Sequence, residues 1–191
     1  MTEAEYLETE EVSPYKREYM DGFVYALHGE DLPHAQAGAL GKHGIIVLNI
    51  ATILRPLARK HKCKVYASNM AVRISGSPLI SGGPLYYYPD VVLTCVPVGD
   101  NARFLEQPCL IVEVLSESTR NIDRREKMHD YRTLFSLQGY LMVDTAVRAA
   151  RLYIRNGDDW REEYVESGGT LTLPCVDIRM TLEEMYEDTE V

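Results

Sequence analysis

The sequence predicts a mixed α/β sandwich in a single domain covering residues 1–191. The chain length is the first reason, because 191 residues form one domain with a sizeable core and are too few for two comfortable domains. The composition is the second, since 46% apolar and 26% charged residues are the balance of an ordinary globular protein. The third is a series of short apolar runs of strand length, flanked by helical patterns.

The first third of the chain is predicted to contain two helices and a strand. Residues 1–15 form a helical arm, and the Asp21–Gly22 turn leads into a strand over 23–27. Apolar residues at helical spacing predict a long, largely buried helix over 34–58. Pro56 is expected to kink or end it, because proline removes a backbone hydrogen bond and clashes with the preceding turn.

The rest of the chain is predicted to supply a central mixed β-sheet flanked by helices. The segment "CKVYASNMAVRI" is one strand or two, "SGSPLISGGPL" a loop, "YYYPDVVLTC" a strand, "VPVGDNARFLEQP" a loop and "CLIVEVLS" a buried strand. A polar helix over 118–135 and the strand "GYLMVD" follow. A hairpin with an "NGDD" turn forms a C-terminal extension, before a short strand "LTLP" and a closing helix "TLEEMYED".

The charge of the chain limits the partners it can bind. A formal net charge of −9 argues against a protein that coats nucleic acid electrostatically, because phosphate binding needs a basic surface. The charge is uneven, however. Residues 55–64 carry five Lys or Arg and no acid, and residues 120–132 carry five basic residues against three acids. A local basic strip is one interpretation of these runs, and a solvated helix end explains either run taken alone.

Targeting and redox patterns predict a cytoplasmic protein. No run of about 18 apolar residues is present, so no membrane span or membrane partner is expected. The acidic N-terminus lacks the apolar segment of a secretory signal. The four cysteines are scattered without any CxxC pair, and we expect them to be free thiols in a reducing compartment: Cys63, Cys95, Cys109 and Cys175.

Two carboxylates interrupt otherwise apolar strands. Asp90 follows a proline at the start of one strand, and Glu113 lies in the middle of "LIVEVL" in another. Alternation places Ile111, Glu113 and Leu115 on one face, so an ionised Glu113 needs a partner or a cation. Two neighbouring strands would bring both acids to one point, where oxygen ligands suit Mg²⁺ or Mn²⁺. The structural alternative is that Asp90 caps a turn and Glu113 pairs with an arginine.

The polar helix after the Glu113 strand carries a candidate lysine. Asp123, Lys127, Tyr131 and Leu134 recur at helical spacing and share one face. Because this helix must pack back on the sheet, that face is expected to look towards the two acids. Lys127 would then activate water or stabilise transition-state charge. Asp123 and Lys127 are also explained as a surface pair at i and i+4.

The motifs together resemble the Uma-type endonuclease family of the PD-(D/E)XK restriction-endonuclease-like superfamily. The matching stretches span nearly the whole chain: "EYMDGFV", "LPHAQAGAL", "YYYPDVVLTC", "CLIVEVLSESTRNIDRREKMHDYRTL", "GYLMVD" and "LTLP". The resemblance implies a single-domain restriction-endonuclease-like fold. It also implies that Asp90, Glu113 and the Val114 carbonyl hold Mg²⁺ or Mn²⁺, and that Lys127 is the catalytic lysine.

The chain departs from the family pattern in places. The superfamily lysine lies two residues after the strand Glu, where this chain has Leu115, so the resemblance implies that Lys127 replaces it from the helix. Glu18 in "REYMDG" matches an N-terminal acid that joins the cluster, although a solvated helix-end charge also explains it. His34 matches a family histidine, for which helix capping or packing is favoured over catalysis. Glu117 stands where the family has proline.

The resemblance favours a Mg²⁺-dependent endonuclease that hydrolyses DNA phosphodiester bonds. The alternative is a catalytically inactive binding or scaffold protein, supported by the net charge and the missing in-strand lysine. Hydrolysis of a small phosphorylated ligand is a third interpretation. A homodimer is expected from the superfamily, and the run Tyr86–Tyr88 is either part of that interface or simply strand.

Overall fold

The computed structural model describes residues 1–27, 40–75, 83–115 and 127–191. The helices are α1 (Glu3–Val12), α2 (Leu40–Lys60), α3 (Met128–Tyr131) and α4 (Leu182–Met185). The strands are β1 (Arg17–Met20), β2 (Phe23–Ala26), β3 (Lys64–Ala67), β4 (Ala71–Ile74), β5 (Leu85–Tyr87), β6 (Val91–Thr94), β7 (Phe104–Leu105), β8 (Leu110–Leu115), β9 (Gly139–Asp144), β10 (Ala149–Asn156), β11 (Asp159–Glu166), β12 (Thr170–Leu173) and β13 (Ile178–Thr181).

The strands form two large sheets and a two-stranded ribbon. One sheet has five strands in the order β2-β1-β5-β4-β7, and the other has six in the order β11-β10-β9-β8-β6-β3. Strands β12 and β13 form the ribbon. Both large sheets are mixed, because β4–β7 and β8–β9 are parallel pairs among antiparallel ones. The predicted mixed α/β class is confirmed, and the predicted hairpin β10–β11 extends one edge of the six-stranded sheet.

The six-stranded sheet separates two hydrophobic cores. One face of β8 presents Val112 and Val114 to a core that α2 covers through residues such as Ile50 and Leu54. The other face presents Ile111 and Leu115 to a core shared with the five-stranded sheet. This is the predicted alternation along β8. Glu113 lies on the second face, between the two sheets, where it is 4% exposed.

Two stretches that the sequence presents as continuous change from one sheet to the other. The "YYYPDVVLTC" run is not one strand, because β5 belongs to the five-stranded sheet and β6 to the six-stranded one. Pro89 lies at the break, where proline supplies no donor for a ladder. The run from β3 to β4 crosses likewise at Ser68, whose φ is +57°. The two crossings touch, since the Ser68 amide donates to the Asp90 carbonyl at 2.8 Å.

The helices and turns agree with the sequence in part. The Asp21–Gly22 turn joins β1 to β2 with positive φ at both residues, as a tight hairpin turn requires. Pro56 does not end α2, which continues to Lys60 because buried Leu54 and Ala58 hold it to the sheet on both sides of the proline. The closing helix is a single turn, Leu182–Met185. Strands β1, β7 and β13 were not predicted.

Of the predicted polar helix over 118–135, the structure describes residues 127–135. Lys127 immediately precedes α3, which ends at Tyr131, so Leu134 lies beyond the helix although it is buried. Asp123, His34 and Glu117 lie outside the described residues, as does most of the predicted loop after β4. In the described part of the chain, no helix is long and apolar enough to cross a membrane.

The prediction of four free thiols is wrong. Cys63 is bonded to Cys95 and Cys109 to Cys175, pairs that are 32 and 66 residues apart in sequence. The register of β3 on β6 ends with Lys64 opposite Thr94. The next residue on each chain segment is a cysteine, so Cys63 lies opposite Cys95. Cys109 directly precedes β8, and Cys175 lies in the turn between β12 and β13. These cysteines are brought together by the pairing of strands that are distant in sequence. The spacing of the cysteines along the chain does not reveal that pairing.

The disulfides also remove one reason for expecting a cytoplasmic protein. Disulfides persist mainly in oxidising compartments, and the expectation of a reducing compartment rested on free thiols. The run of tyrosines gives no support to an interface either, because Tyr86 and Tyr87 are each 1% exposed within the chain itself.

Reduction of the disulfides is expected to destabilise the fold. Closed loops of 32 and 66 residues are each expected to stabilise the folded state by about 2–4 kcal/mol. Excess dithiothreitol should therefore lower the Tm in a thermal melt by at least roughly 5 °C, and Cys63→Ser alone should give part of that decrease. Thiol labelling that finds four reactive cysteines in the folded, unreduced protein would contradict the assignment.

Candidate active site

Three charged side chains meet where the two sheets and α3 come together, and a fourth, that of Asp90, lies at the start of the neighbouring strand. Asp90 immediately precedes β6, Glu113 is on β8, Glu18 is on β1 and Lys127 precedes α3. Three of them are almost fully buried, with 7% exposure for Glu18, 4% for Glu113 and 6% for Lys127. These residues come from four separate parts of the chain, so only the tertiary structure brings them together.

The strand register places Asp90 beside Glu113. Strands β6 and β8 are antiparallel, and their last pair is Val91 with Val112. Continuing that register by one residue sets Asp90 across from Glu113. The Val114 amide also donates to Asp90 Oδ2 at 2.7 Å, which ties the Asp90 carboxylate to β8. The two strand acids therefore lie on neighbouring strands, as the sequence predicts.

Lys127 lies between two of the buried acids. Its Nζ is 2.9 Å from Glu18 Oε1 and 3.5 Å from Glu113 Oε1. It also lies 5.4 Å from the centroid of the Tyr87 ring. Since Glu18 belongs to the five-stranded sheet and Glu113 to the six-stranded sheet, this ammonium links the two. Glu18 is a strand residue, so its interpretation as a solvated helix-end charge is wrong.

Tyrosines from two elements, α3 and β5, add hydrogen bonds to acids of this region. The Tyr131 hydroxyl donates to Glu113 Oε1 at 3.1 Å, and the Tyr87 hydroxyl donates to Asp130 Oδ2 at 2.7 Å. Burial, and next the Glu113 charge, raise the pKa of Tyr131 well above its usual value. Burial, and next the hydrogen bond to Asp130, also raise the pKa of Tyr87. Both hydroxyls therefore remain protonated donors at neutral pH.

Asp90 lies at the more open side of the cluster. Its side chain is 19% exposed, against 5% for that of Glu113. His43 of α2 places Nε2 3.3 Å from Asp90 Oδ1. The Lys16 ammonium contacts the Ser68 carbonyl, and the Ser68 amide is bonded to the Asp90 backbone. Burial lowers the pKa of Lys16, while the negative charge of Asp90 acts in the opposite direction.

Sequence reasoning missed part of this neighbourhood. Lys16 lies two residues before Glu18, and that spacing on an extended chain is a signal that the two share a face. Tyr131 was on the predicted helix face, but its bond to Glu113 was not foreseen. His43 gave no sequence signal, because its contact with Asp90 depends on how α2 packs against the sheet.

The first basic run does not lie at the candidate site. His43, near the start of α2, contacts Asp90, whereas Arg55 lies 12 residues further along the same helix. At 1.5 Å per residue the two are about 18 Å apart, and Arg59 and Lys60 lie further along the same helix. In the second basic run, residues 120–126 are outside the described ranges, and Arg132 stacks against Tyr153 and Trp160.

The whole-chain comparisons identify the family of the chain. A family model described as "Uma2: Putative restriction endonuclease" matches residues 4–183. The chain belongs to the Uma2 family. Two uncharacterized proteins of Synechocystis sp. (strain ATCC 27184 / PCC 6803 / Kazusa) are each 30% identical to this Uma2 chain. With slr1290 the match covers 184 residues, 95% of this chain and 89% of the relative, and with sll1609 it covers 161 residues, 83% and 82%.

A solved structure shows the same fold. The crystal structure of a putative nuclease of DUF820 from Anabaena variabilis ATCC 29413 superposes with a TM-score of 0.70 over 97% of both chains. Its sequence identity is 14%, so the likeness concerns the fold alone. The resemblance that the sequence motifs carried is confirmed for both family and fold.

The residues of the Uma2 site fit a divalent cation in part. Among the described residues, no group of three or more His, Cys, Asp or Glu side chains is arranged to hold a metal. Mg²⁺ is commonly bound through one or two carboxylates with water in the other positions, so Asp90 with Glu113 is a sufficient oxygen donor set. The metal-ligand roles of Asp90, Glu113 and the Val114 carbonyl remain predictions.

Removal of the Lys127 charge is expected to destabilise this Uma2 protein strongly. Lys127→Met would leave Glu18 and Glu113 buried without the ammonium, which costs about 3–5 kcal/mol for a broken buried ion pair. Chemical denaturation should show this loss, and added Mg²⁺ should recover part of it. Lys64→Met is the control, because that side chain is 46% exposed and its removal should change the free energy of unfolding little. Equal stability of the two variants would contradict the buried pairing.

Alkaline pH is expected to unfold the protein through its buried tyrosines. Burial raises the pKa of Tyr88 to about 12 and that of Tyr131 well above its usual value. An unfolded tyrosine titrates near 10, so the folded state binds more protons above that pH and the free energy of unfolding falls as pH rises. Tyrosinate absorbance and circular dichroism should change together between about pH 10 and 12. Full tyrosinate formation in a folded protein would contradict the burial.

Proposed function

We propose that the protein is a metal-dependent endonuclease that hydrolyses DNA phosphodiester bonds. The observation that carries the proposal is the position of Lys127 Nζ, 2.9 Å from Glu18 and 3.5 Å from Glu113, beside Asp90 on the next strand. Acids on neighbouring strands with a lysine held against them form a constellation suited to phosphodiester hydrolysis. The family description and the nuclease fold of the structural neighbour support the same reaction class.

Each residue has a proposed role. Asp90, Glu113 and the Val114 carbonyl would hold Mg²⁺ or Mn²⁺, which when bound polarises a phosphoryl oxygen and lowers the pKa of a bound water. Lys127 holds Glu18 and Glu113 at fixed positions and adds positive charge where the transition state gains negative charge. Tyr131 fixes the Glu113 carboxylate through a buried hydrogen bond. A homodimer of this chain would present two such sites to the two DNA strands.

A binding or scaffold protein without turnover is the second candidate. Its support is that Lys127 places an ammonium against both Glu18 and Glu113 and offsets part of their negative charge without any metal. A site whose acids are already paired with an ammonium in this way depends less on a cation for its stability. The net charge of −9 also weakens general attraction for DNA.

Plasmid cleavage with a matched pair of variants tests the proposal. Supercoiled plasmid is incubated with Mg²⁺ and then Mn²⁺, using the native protein, Glu113→Gln and Glu163→Gln. Glu163 is a suitable control, because it is also a strand glutamate in an ion pair, 2.8 Å from Arg161, but it lies on β11 and its side chain is 29% exposed. Glu113→Gln should lower the cleavage rate by about 100-fold or more, and Glu163→Gln should leave it unchanged.

Three results have different meanings for the proposed function. Nicking by the native protein and by Glu163→Gln, with none by Glu113→Gln, supports the nuclease. Equal cleavage by all three proteins contradicts the assigned site and indicates a contaminating nuclease. DNA binding without cleavage in either metal contradicts turnover and favours the binding protein. Thermal melts of the three proteins should accompany the assay, so that loss of folding is not mistaken for loss of activity.

A further inference from the structure

Lys16 is a second lysine at the candidate site, with an environment unlike that of Lys127. Its Nζ donates to the Ser68 carbonyl and lies 6.0 Å from the centroid of the Tyr88 ring. Ser68 is bonded through its amide to the Asp90 carbonyl, and Tyr88 is two residues before Asp90. The ammonium of Lys16 is therefore held against the segment that carries Asp90.

The charge of Lys16 is only partly compensated. The side chain is half-buried, and among the described residues it forms a hydrogen bond to a carbonyl but no ion pair with a carboxylate. Lys127, by contrast, contacts two carboxylates and is 6% exposed. Asp90 is the carboxylate whose charge acts on Lys16, but it is not in ion-pair contact with it. A partly desolvated ammonium without a direct ion pair is costly, and an incoming anion would relieve that cost.

We propose that Lys16 binds a non-bridging oxygen of the scissile phosphodiester, next to Asp90. This inference rests on the proposed nuclease function and names the residue that receives the substrate phosphate. Asp90 lies at the open side of the cluster, with its side chain 19% exposed, and Lys16 lies on the chain segment next to it. On a protein of charge −9, a local ammonium at this position supplies the attraction that the whole surface does not.

The other cations near the site are less suited to this role. Lys127 Nζ already contacts Glu18 and Glu113, so its charge acts on the reacting group while these contacts occupy its donors. His43 directs Nε2 at Asp90 Oδ1 at 3.3 Å. The basic run that begins at Arg55 is about 18 Å from His43 along α2. Lys16 is therefore the cation in the described part of the chain that best fits a phosphate beside Asp90.

The test compares Lys16→Met with Lys64→Met in DNA binding and in turnover. Lys64 is a matched control, because it too donates to a backbone carbonyl, that of Val98 at 2.8 Å. It lies on β3 opposite Thr94, four residues along β6 from Asp90, which is about 13 Å of strand. Fluorescence anisotropy with a labelled DNA duplex, in Ca²⁺ and over a range of salt concentrations, measures binding without requiring cleavage.

Loss of one phosphate contact has a defined signature. Lys16→Met should weaken binding about 10-fold and reduce the slope of log K against log salt by about 0.9, while Lys64→Met should keep the native slope. Lys16→Arg should restore the slope, because it retains the charge. In the cleavage assay Lys16→Met should lower kcat as well as raise KM, since the contact is made to the reacting phosphate.

The outcomes separate this inference from the nuclease proposal. An unchanged salt slope in Lys16→Met overturns the role of Lys16, whether or not the native protein cuts plasmid. A reduced slope without any plasmid cleavage supports the phosphate contact and counts against turnover. Equal effects of Lys16→Met and Lys64→Met would show general electrostatics rather than a site, and would also overturn the inference.

Discussion

The ammonium of Lys127 is the interaction on which the arrangement of this protein depends most. It lies between a glutamate of each large sheet, at 2.9 Å from Glu18 and 3.5 Å from Glu113. Without it, two carboxylates would be buried in one core and would repel each other across the junction of the sheets. The same contact that joins the sheets therefore holds together two acids of the candidate site. Lys127 thus contributes both to the stability of the fold and to the arrangement of the site.

The site lies where the chain changes sheets. Pro89 ends one strand and precedes Asp90, and Ser68, in a left-handed conformation, marks the other crossing. At this junction the Val114 amide donates its hydrogen bond to the Asp90 carboxylate and not to the backbone of a neighbouring strand. A carboxylate fixed to a strand at a gap between sheets is both rigid and accessible. A carboxylate in the interior of a strand would be rigid but not accessible.

The electrostatics of the protein require a local explanation of any DNA binding. An acidic chain repels a polyanion at long range, so attraction has to come from cations placed close to the reacting phosphate. Lys16 is positioned for that task beside Asp90, while Arg55 and its basic neighbours lie along α2 away from it. Because the net charge is negative and the cation near Asp90 is local, we expect weak nonspecific binding of DNA. The DNA affinity should then depend strongly on the contact that Lys16 makes.

The sequence by itself determined the fold class, the family, the alternation along β8 and the residue types of the site, because periodicity and motif spacing are local properties. Asp90, Glu113, Glu18 and Lys127 were all predicted as one cluster, although their roles as ligands and catalysts await experiment. The tertiary structure alone decided the division into two sheets, the disulfide pairs and the contacts of His43 and Lys16. Those features depend on which distant strands and helices pack together, and the spacing of residues along the chain does not indicate which elements pack.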